Sequence, residues 1–151
     1  MKNRGRKRLT IFFFLLVVAA LGFGGAHLVG KNKFSEKEIS LYWGREEKKV
    51  NIEKLSYEPV EGIRINGKGE EIPVSGQGIL LKELLEEYGI TDYRQVKVSA
   101  MDSYSATVTR EETEEEGKVY LFFEEESLRL LVFGDKDSKR SVSDIVQIVA
   151  E

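Results

Sequence analysis

The chain has no cysteine, one histidine and two prolines among 151 residues. Each shortage removes a class of chemistry. Without cysteine there is no disulfide, no lipid-modified N-terminal cysteine, no thiolate nucleophile, no zinc–thiolate site and no cysteine-bound iron–sulfur cluster. The single histidine, His27, lies inside a hydrophobic run. The rest of the chain therefore has no imidazole for general acid–base work or for holding a metal. No Gly-x-Ser-x-Gly elbow is present, and Gly62, Gly67, Gly69, Gly76 and Gly78 are spaced as turn residues, not as a phosphate loop. Glu111, Glu112, Glu114, Glu115 and Glu116 form an acidic run without the spaced ligands and glycine of a calcium loop, and read as a solvated face. No cofactor and no metal is expected from these residues.

Acidic side chains are missing from residues 1–33, which open on Lys2, Arg4, Arg6, Lys7 and Arg8. Residues 11–30 carry no charge. Twenty residues at helical rise span about 30 Å, the thickness of a hydrocarbon core. A basic start before such a run fits a signal-anchor over residues 1–30 that stays in the membrane. It also fits a cleaved signal with an apolar stretch over 11–21 and Gly24 and Ala26 as the small pair. The full span favours the anchor. The cations before it keep the N-terminus inside and send the remainder out, so the C-terminal part is expected outside the cell membrane, or secreted if cleaved. Residues 31–39 are polar and read as a tether, leaving 40–151 as one domain.

That exported part is acidic. The chain has 23 Lys and Arg against 26 Asp and Glu, and without the five N-terminal cations 18 face 26. Such a balance excludes nucleic acid as a partner, because phosphate binding needs clustered cations. It also discourages docking of the domain face on anionic lipid. With no disulfide, about 115 residues must be held by their core alone.

The periodicities predict an α+β domain, a mixed β-sheet with one or two helices. Alternation at 39–43, closed by Gly44, suits a first strand, and 50–52 a second followed by a short helical turn at 53–55. Pro59 interrupts. Residues 62–67 read as a strand running into an Asn-Gly turn, with a hairpin return at 71–74. Leu81, Leu84, Leu85 and Tyr88 share one face of a helix expected over 79–88, with Gly89 at its left-handed cap. Strands follow at 96–100 and 104–108, separated by a turn at Met101, Asp102 and Ser103. A short helix or loop is expected over 110–116. Residues 119–123 are apolar throughout, as in a strand buried on both faces. Strands at 128–133 and 144–149 complete the set. The cluster of small, hydroxyl and aromatic residues Asp102, Ser103, Tyr104 and Ser105 is the candidate binding turn, although Asp and Ser also favour turns for their own sake.

The order of these pieces resembles a known family. Leu81-x-x-Leu84-Leu85-x-x-x-Gly89, then Ala100-Met101-Asp102-Ser103-Tyr104-Ser105, then Leu128-Arg129-Leu130-Leu131-Val132-Phe133-Gly134-Asp135 with Lys139-Arg140-Ser141-Val142, is similar to the sulfite-oxidase-type molybdopterin-binding domain over roughly 40–151. The resemblance implies that fold. It also implies a cysteine thiolate on molybdenum and histidines and arginines on the pterin, and this chain lacks the cysteine and any usable histidine. Ser103 stands where the family has glycine, and Phe133 where proline is common. The expected function is therefore a membrane-tethered, non-catalytic binding or accessory domain, with an unknown small molecule or protein as partner. A degenerate oxidoreductase would need Arg64, Arg94, Arg110, Arg129 and Arg140 to converge on one cleft. A structural interaction domain of an envelope assembly would show an exposed apolar patch around Tyr42 and Trp43.

Overall fold

The computed structural model describes residues 37–151. The expected membrane or signal helix over residues 1–30 and most of the 31–39 tether lie outside the described residues. Among the described residues no helix is long and apolar enough to cross a membrane.

The domain is α+β, mostly sheet. Its elements are β1 (Glu38–Trp43), β2 (Glu46–Asn51), a 3-10 turn (Ile52–Lys54), β3 (Glu58–Ile65), β4 (Glu71–Leu80), α1 (Leu81–Glu87), β5 (Gln95–Ala100), β6 (Ser105–Thr109), α2 (Arg110–Glu114), β7 (Val119–Glu124), β8 (Ser127–Val132) and β9 (Ile145–Ala150). They form a five-stranded sheet in the order β2-β1-β9-β5-β6 and a four-stranded sheet in the order β3-β4-β7-β8. Every pairing is antiparallel except that of β1 with β9. The first strand begins at Glu38, one residue before the 39–43 alternation and within the stretch read as tether.

One core joins the two sheets. Ile39, Leu41, Val96, Val98, Val108 and Ile148 from the first meet Ile79, Leu121, Leu128 and Leu130 from the second, together with Leu81, Leu84 and Leu85 of α1. Period-2 alternation explains the choice: in β5, Val96, Val98 and Ala100 point in while Gln95 and Lys97 face solvent. Helix α1 ends as its sequence requires. The Ile90 amide donates to the Leu85 carbonyl at 2.9 Å and the Gly89 amide to Glu86, with Gly89 at φ +71°.

Several boundaries differ from the sequence expectation. Helix α1 is shorter than the 79–88 periodicity implied, because Ile79 and Leu80 pair with Leu121 and Tyr120 in the sheet. Pro59 does not interrupt: it lies in β3, at the edge of its sheet, where a missing N–H costs no ladder bond. Glu46–Lys49, charged throughout, pair with β1 as an edge strand. The β7–β8 hairpin turns on Glu125 and Glu126, both at positive φ, without any glycine.

Gly76 and Gly78 are not turn residues either. They lie inside β4, on the face of the four-stranded sheet turned away from the main core. A second cluster of Val60, Val74, Phe122 and Leu131 sits there, with Tyr120 and Phe133 packed against it. The Phe122 ring lies over Gly76 and the Phe133 ring over Gly62; a Cβ would stand 2.6 Å from the first ring and 2.5 Å from the second. Residues 119–123 are therefore buried on both faces, as their unbroken apolarity implied. Gly76→Ala must displace the buried Phe122 ring and is expected to cost about 1–3 kcal/mol. Lys68→Ala, in the exposed β3–β4 loop, should leave the denaturation midpoint unchanged; equal midpoints for both variants would refute the packing argument.

Candidate functional site

The turn between β5 and β6 is built by its own polar groups. The Asp102 carboxylate accepts a hydrogen bond from the Tyr104 amide at 3.0 Å. The Ser103 amide donates to the Ala100 carbonyl, and the Ala100 amide to the Tyr104 carbonyl. Asp102 is thus engaged in holding the turn's shape. Ser103 sits at φ +71°, in the left-handed region that glycine adopts without cost.

The turn is tied to the β8–β9 connection at two points. The Met101 amide donates to the Asp144 carbonyl at 3.2 Å, and the Tyr104 hydroxyl to the Lys139 carbonyl at 2.5 Å. Tyr104 keeps 47% of its surface exposed and Met101 64%, while Ser105 is half-buried at the start of β6. The four residues read from sequence as a site are therefore together on one ordered hairpin, with Tyr104 as the largest exposed side chain among them.

The same connection is pinned by ion pairs. Arg140 donates to Asp135 and, through Nη1, to both carboxylate oxygens of Glu112 at 2.8 and 2.9 Å. Glu112 also accepts from the Thr109 amide, completing a capping box with the Thr109 side chain at the start of α2. Partial burial works against the charge on Glu112. The bonds from Thr109 and Arg140 outweigh it and hold the carboxyl below the ordinary carboxylate range.

The arginines do not all converge. Arg110 pairs with Glu114 and stacks over Tyr93 at 5.5 Å, and Arg140 is held as described. Arg64 and Arg129 do share a pocket, of about 260 Å³, on the outer face of the four-stranded sheet. Val74, Phe122 and Leu131 form its apolar surface, and Glu124 joins the two arginines at its rim. Arg129 donates to Glu124 at 2.5 Å and to the Ser141 hydroxyl at 3.2 Å. This pocket was not legible in the sequence, because only the register of β3 on β4 and β7 on β8 brings Arg64 and Arg129 to one face. Nor is the apolar patch expected around Tyr42 and Trp43 present. Both are half-buried; Trp43 packs against the core and Tyr42 donates to Glu47.

The chain matches no family model and no curated protein. A molybdenum centre of the kind the sequence resemblance implies does not fit the residues present. Its thiolate ligand has no counterpart in a cysteine-free chain, and among the described residues no group of three or more His, Asp or Glu is placed to hold a metal.

Two outcomes check the turn and its brace. Ser103→Gly is expected to be neutral or stabilising by up to about 1 kcal/mol, whereas Ser103→Val should lose about 1–2 kcal/mol. Denaturant unfolding of the full chain measures both, and a neutral valine would show that the left-handed geometry is not maintained. For Glu112, a folded-state pKa below the unfolded one means stabilisation above the unfolded carboxylate range, lost as pH falls through the folded value. Glu112→Gln keeps the cap but not the charge. It should cost about 1–2 kcal/mol at neutral pH, with the gap from wild type closing as pH falls below the ordinary carboxylate range. A pH-independent gap would contradict the ion-pair assignment.

Proposed function

We propose that the chain is a membrane-tethered, extracytoplasmic, non-catalytic binding domain of the sulfite-oxidase-type fold, presenting the turn at Asp102, Ser103, Tyr104 and Ser105 to a partner. The observation that carries this reading is the construction of the turn. An exposed aromatic side chain stands on a hairpin fixed by its own Asx bond and by two bonds to the β8–β9 connection. A contact group held in one conformation before binding loses less entropy on association than a mobile one.

The N-terminal basic and apolar residues support the tether, and the acidic domain supports a protein or small-molecule partner over nucleic acid. The family resemblance rests on the sequence order of helix, turn and closing strand. The missing thiolate separates the domain from that family's redox chemistry. The membrane is then the partner of the N-terminal segment alone.

The absence of native cysteine makes the topology directly testable. Lys68 is exposed in the β3–β4 loop. A Lys68→Cys variant of the full chain should react with a membrane-impermeant maleimide in intact spheroplasts and should remain in the membrane fraction after carbonate extraction. Labelling only after lysis would rule out an extracytoplasmic domain. Release of labelled protein into the medium would identify cleavage in place of anchoring.

A further inference from the structure

We propose that the pocket on the outer face of the four-stranded sheet binds a small apolar monocarboxylate, with Arg64 receiving the carboxylate and Val74, Phe122 and Leu131 contacting the apolar body. The inference rests on the reading of the domain as a binding module and adds a site distinct from the β5–β6 turn.

Three observations lead to this ligand class. First, the charge balance in the pocket is opposite to that of the domain around it. Arg64 and Arg129 face a single carboxylate, Glu124, in a chain where acids outnumber bases. Second, the arginines differ in what they already hold. Arg129 spends Nε and Nη1 on Glu124 and Ser141. Arg64 is half-buried, and its guanidinium makes no hydrogen bond or ion pair among the described residues. A guanidinium with its planar fork unengaged beside an apolar surface is suited to bidentate capture of a carboxylate.

Third, Ile72, Val74, Phe122 and Leu131 supply an apolar part of an otherwise polar lining, already shaped. Phe122 and Leu131 are buried, and the absence of a side chain at Gly76 lets the Phe122 ring lie down on β4. A volume of about 260 Å³ is slightly below the range of about 300–1,000 Å³ typical of drug-sized ligands, which limits the occupant to a small molecule. The net requirement is one negative charge and one compact apolar group. A dianion would meet Glu124, and a neutral apolar molecule would leave Arg64 unmatched.

The test uses the full chain in detergent, with isotope-labelled leucine and valine methyl groups observed by NMR. The probes are phenylacetate, phenylacetamide and acetate. Phenylacetate should shift the Val74 and Leu131 methyl resonances saturably, with the methyls of Leu84 and Val96 in the main core unmoved. Phenylacetamide, which keeps the body and loses the charge, should bind at least about tenfold more weakly, as should acetate, which keeps only the charge. Arg64→Gln should weaken phenylacetate binding by about the same factor while leaving the core methyl spectrum intact. The wild-type probe comparison stands even if that variant does not fold.

Equal binding of acid and amide, or of phenylacetate and acetate, overturns the proposal, as does an unchanged affinity in a folded Arg64→Gln. Phenylacetate-induced shifts confined to Val98, Val108 and Val142, which flank the β5–β6 turn and the connection tied to it, would sink this inference and leave the binding-module reading standing. Saturable binding at Val74 and Leu131 in a chain whose Lys68→Cys variant is labelled only after lysis would keep the pocket and discard the extracytoplasmic reading.

Discussion

Strand β9 lies between β1 and β5 and joins two hairpins into one sheet. On one side β1 and β2 form a ribbon; on the other β5 and β6 form a second. A two-stranded ribbon alone is marginally stable in water. The final strand supplies a neighbour to both, parallel to β1 and antiparallel to β5, and places Ile148 against the shared core. Residues of β1 must therefore meet a strand about a hundred positions later before the five-stranded sheet can close, which makes this pairing entropically costly. The residues ahead of β9 lower that cost in the folded state by having few alternatives. Val142 accepts from the Leu130 amide, Arg140 bridges Asp135 and Glu112, and Arg129 reaches Ser141. With no disulfide available, these polar ties do the positioning.

The four-stranded sheet meets a different constraint. Its β7 strand is apolar on both faces, and only one face can join the main core. The other is covered by aromatic rings laid on glycine backbone, Phe122 over Gly76 and Phe133 over Gly62, with Tyr120 edge-on to Phe133 at 5.8 Å. A side chain at either glycine would lift a ring and open the cluster to water. Burial elsewhere follows the same logic. The Tyr57 ring packs at 5.3 Å from Phe123 and its hydroxyl donates to the Ile52 carbonyl, and burial pushes the phenol up to about 12. The polar tip is satisfied, so the apolar body can be covered.

Much of this was legible where a local rule dominates. The i, i+3, i+4 leucines gave α1, Gly89 gave its cap, and Asp102 and Ser103 gave the turn. The misreadings share a cause: a tertiary partner overrode the local preference. Ile79 and Leu80 carry helical periodicity but have β7 beside them. Glu46–Lys49 carry no strand preference but have β1 beside them. Gly76 and Gly78 read as turn residues because glycine in a strand makes sense only once the ring above it is known. The turn at Glu125 and Glu126 had no Asn-Gly to announce it. The candidate turn residues were read as a group and lie as a group. The pairing of Arg64 with Arg129 needed two hairpin registers and a sheet order that no window of sequence contains.

The two candidate contact regions differ in what their charged groups are free to do. In the turn, the single acid bonds the Tyr104 amide, so the exposed chemistry is that of an aromatic ring, a thioether and hydroxyls. That surface suits shape and stacking more than recognition of charge. The turn also stands at the end of the five-stranded sheet where β1 begins, because β9 runs parallel to β1 and its first residue, Ile145, pairs with Ala100. The outer face of the other sheet has the reverse character, with an uncommitted guanidinium in a pocket of mixed polar and apolar side chains. Ser103 adds a further step. The hairpin keeps a left-handed residue here although serine has to bear its cost, so the turn's shape is demanded by the fold itself. A shape that the fold holds at that cost is a scaffold property. Selection among ligands then falls to groups the scaffold has not already used, and Arg64 is the clearest of these.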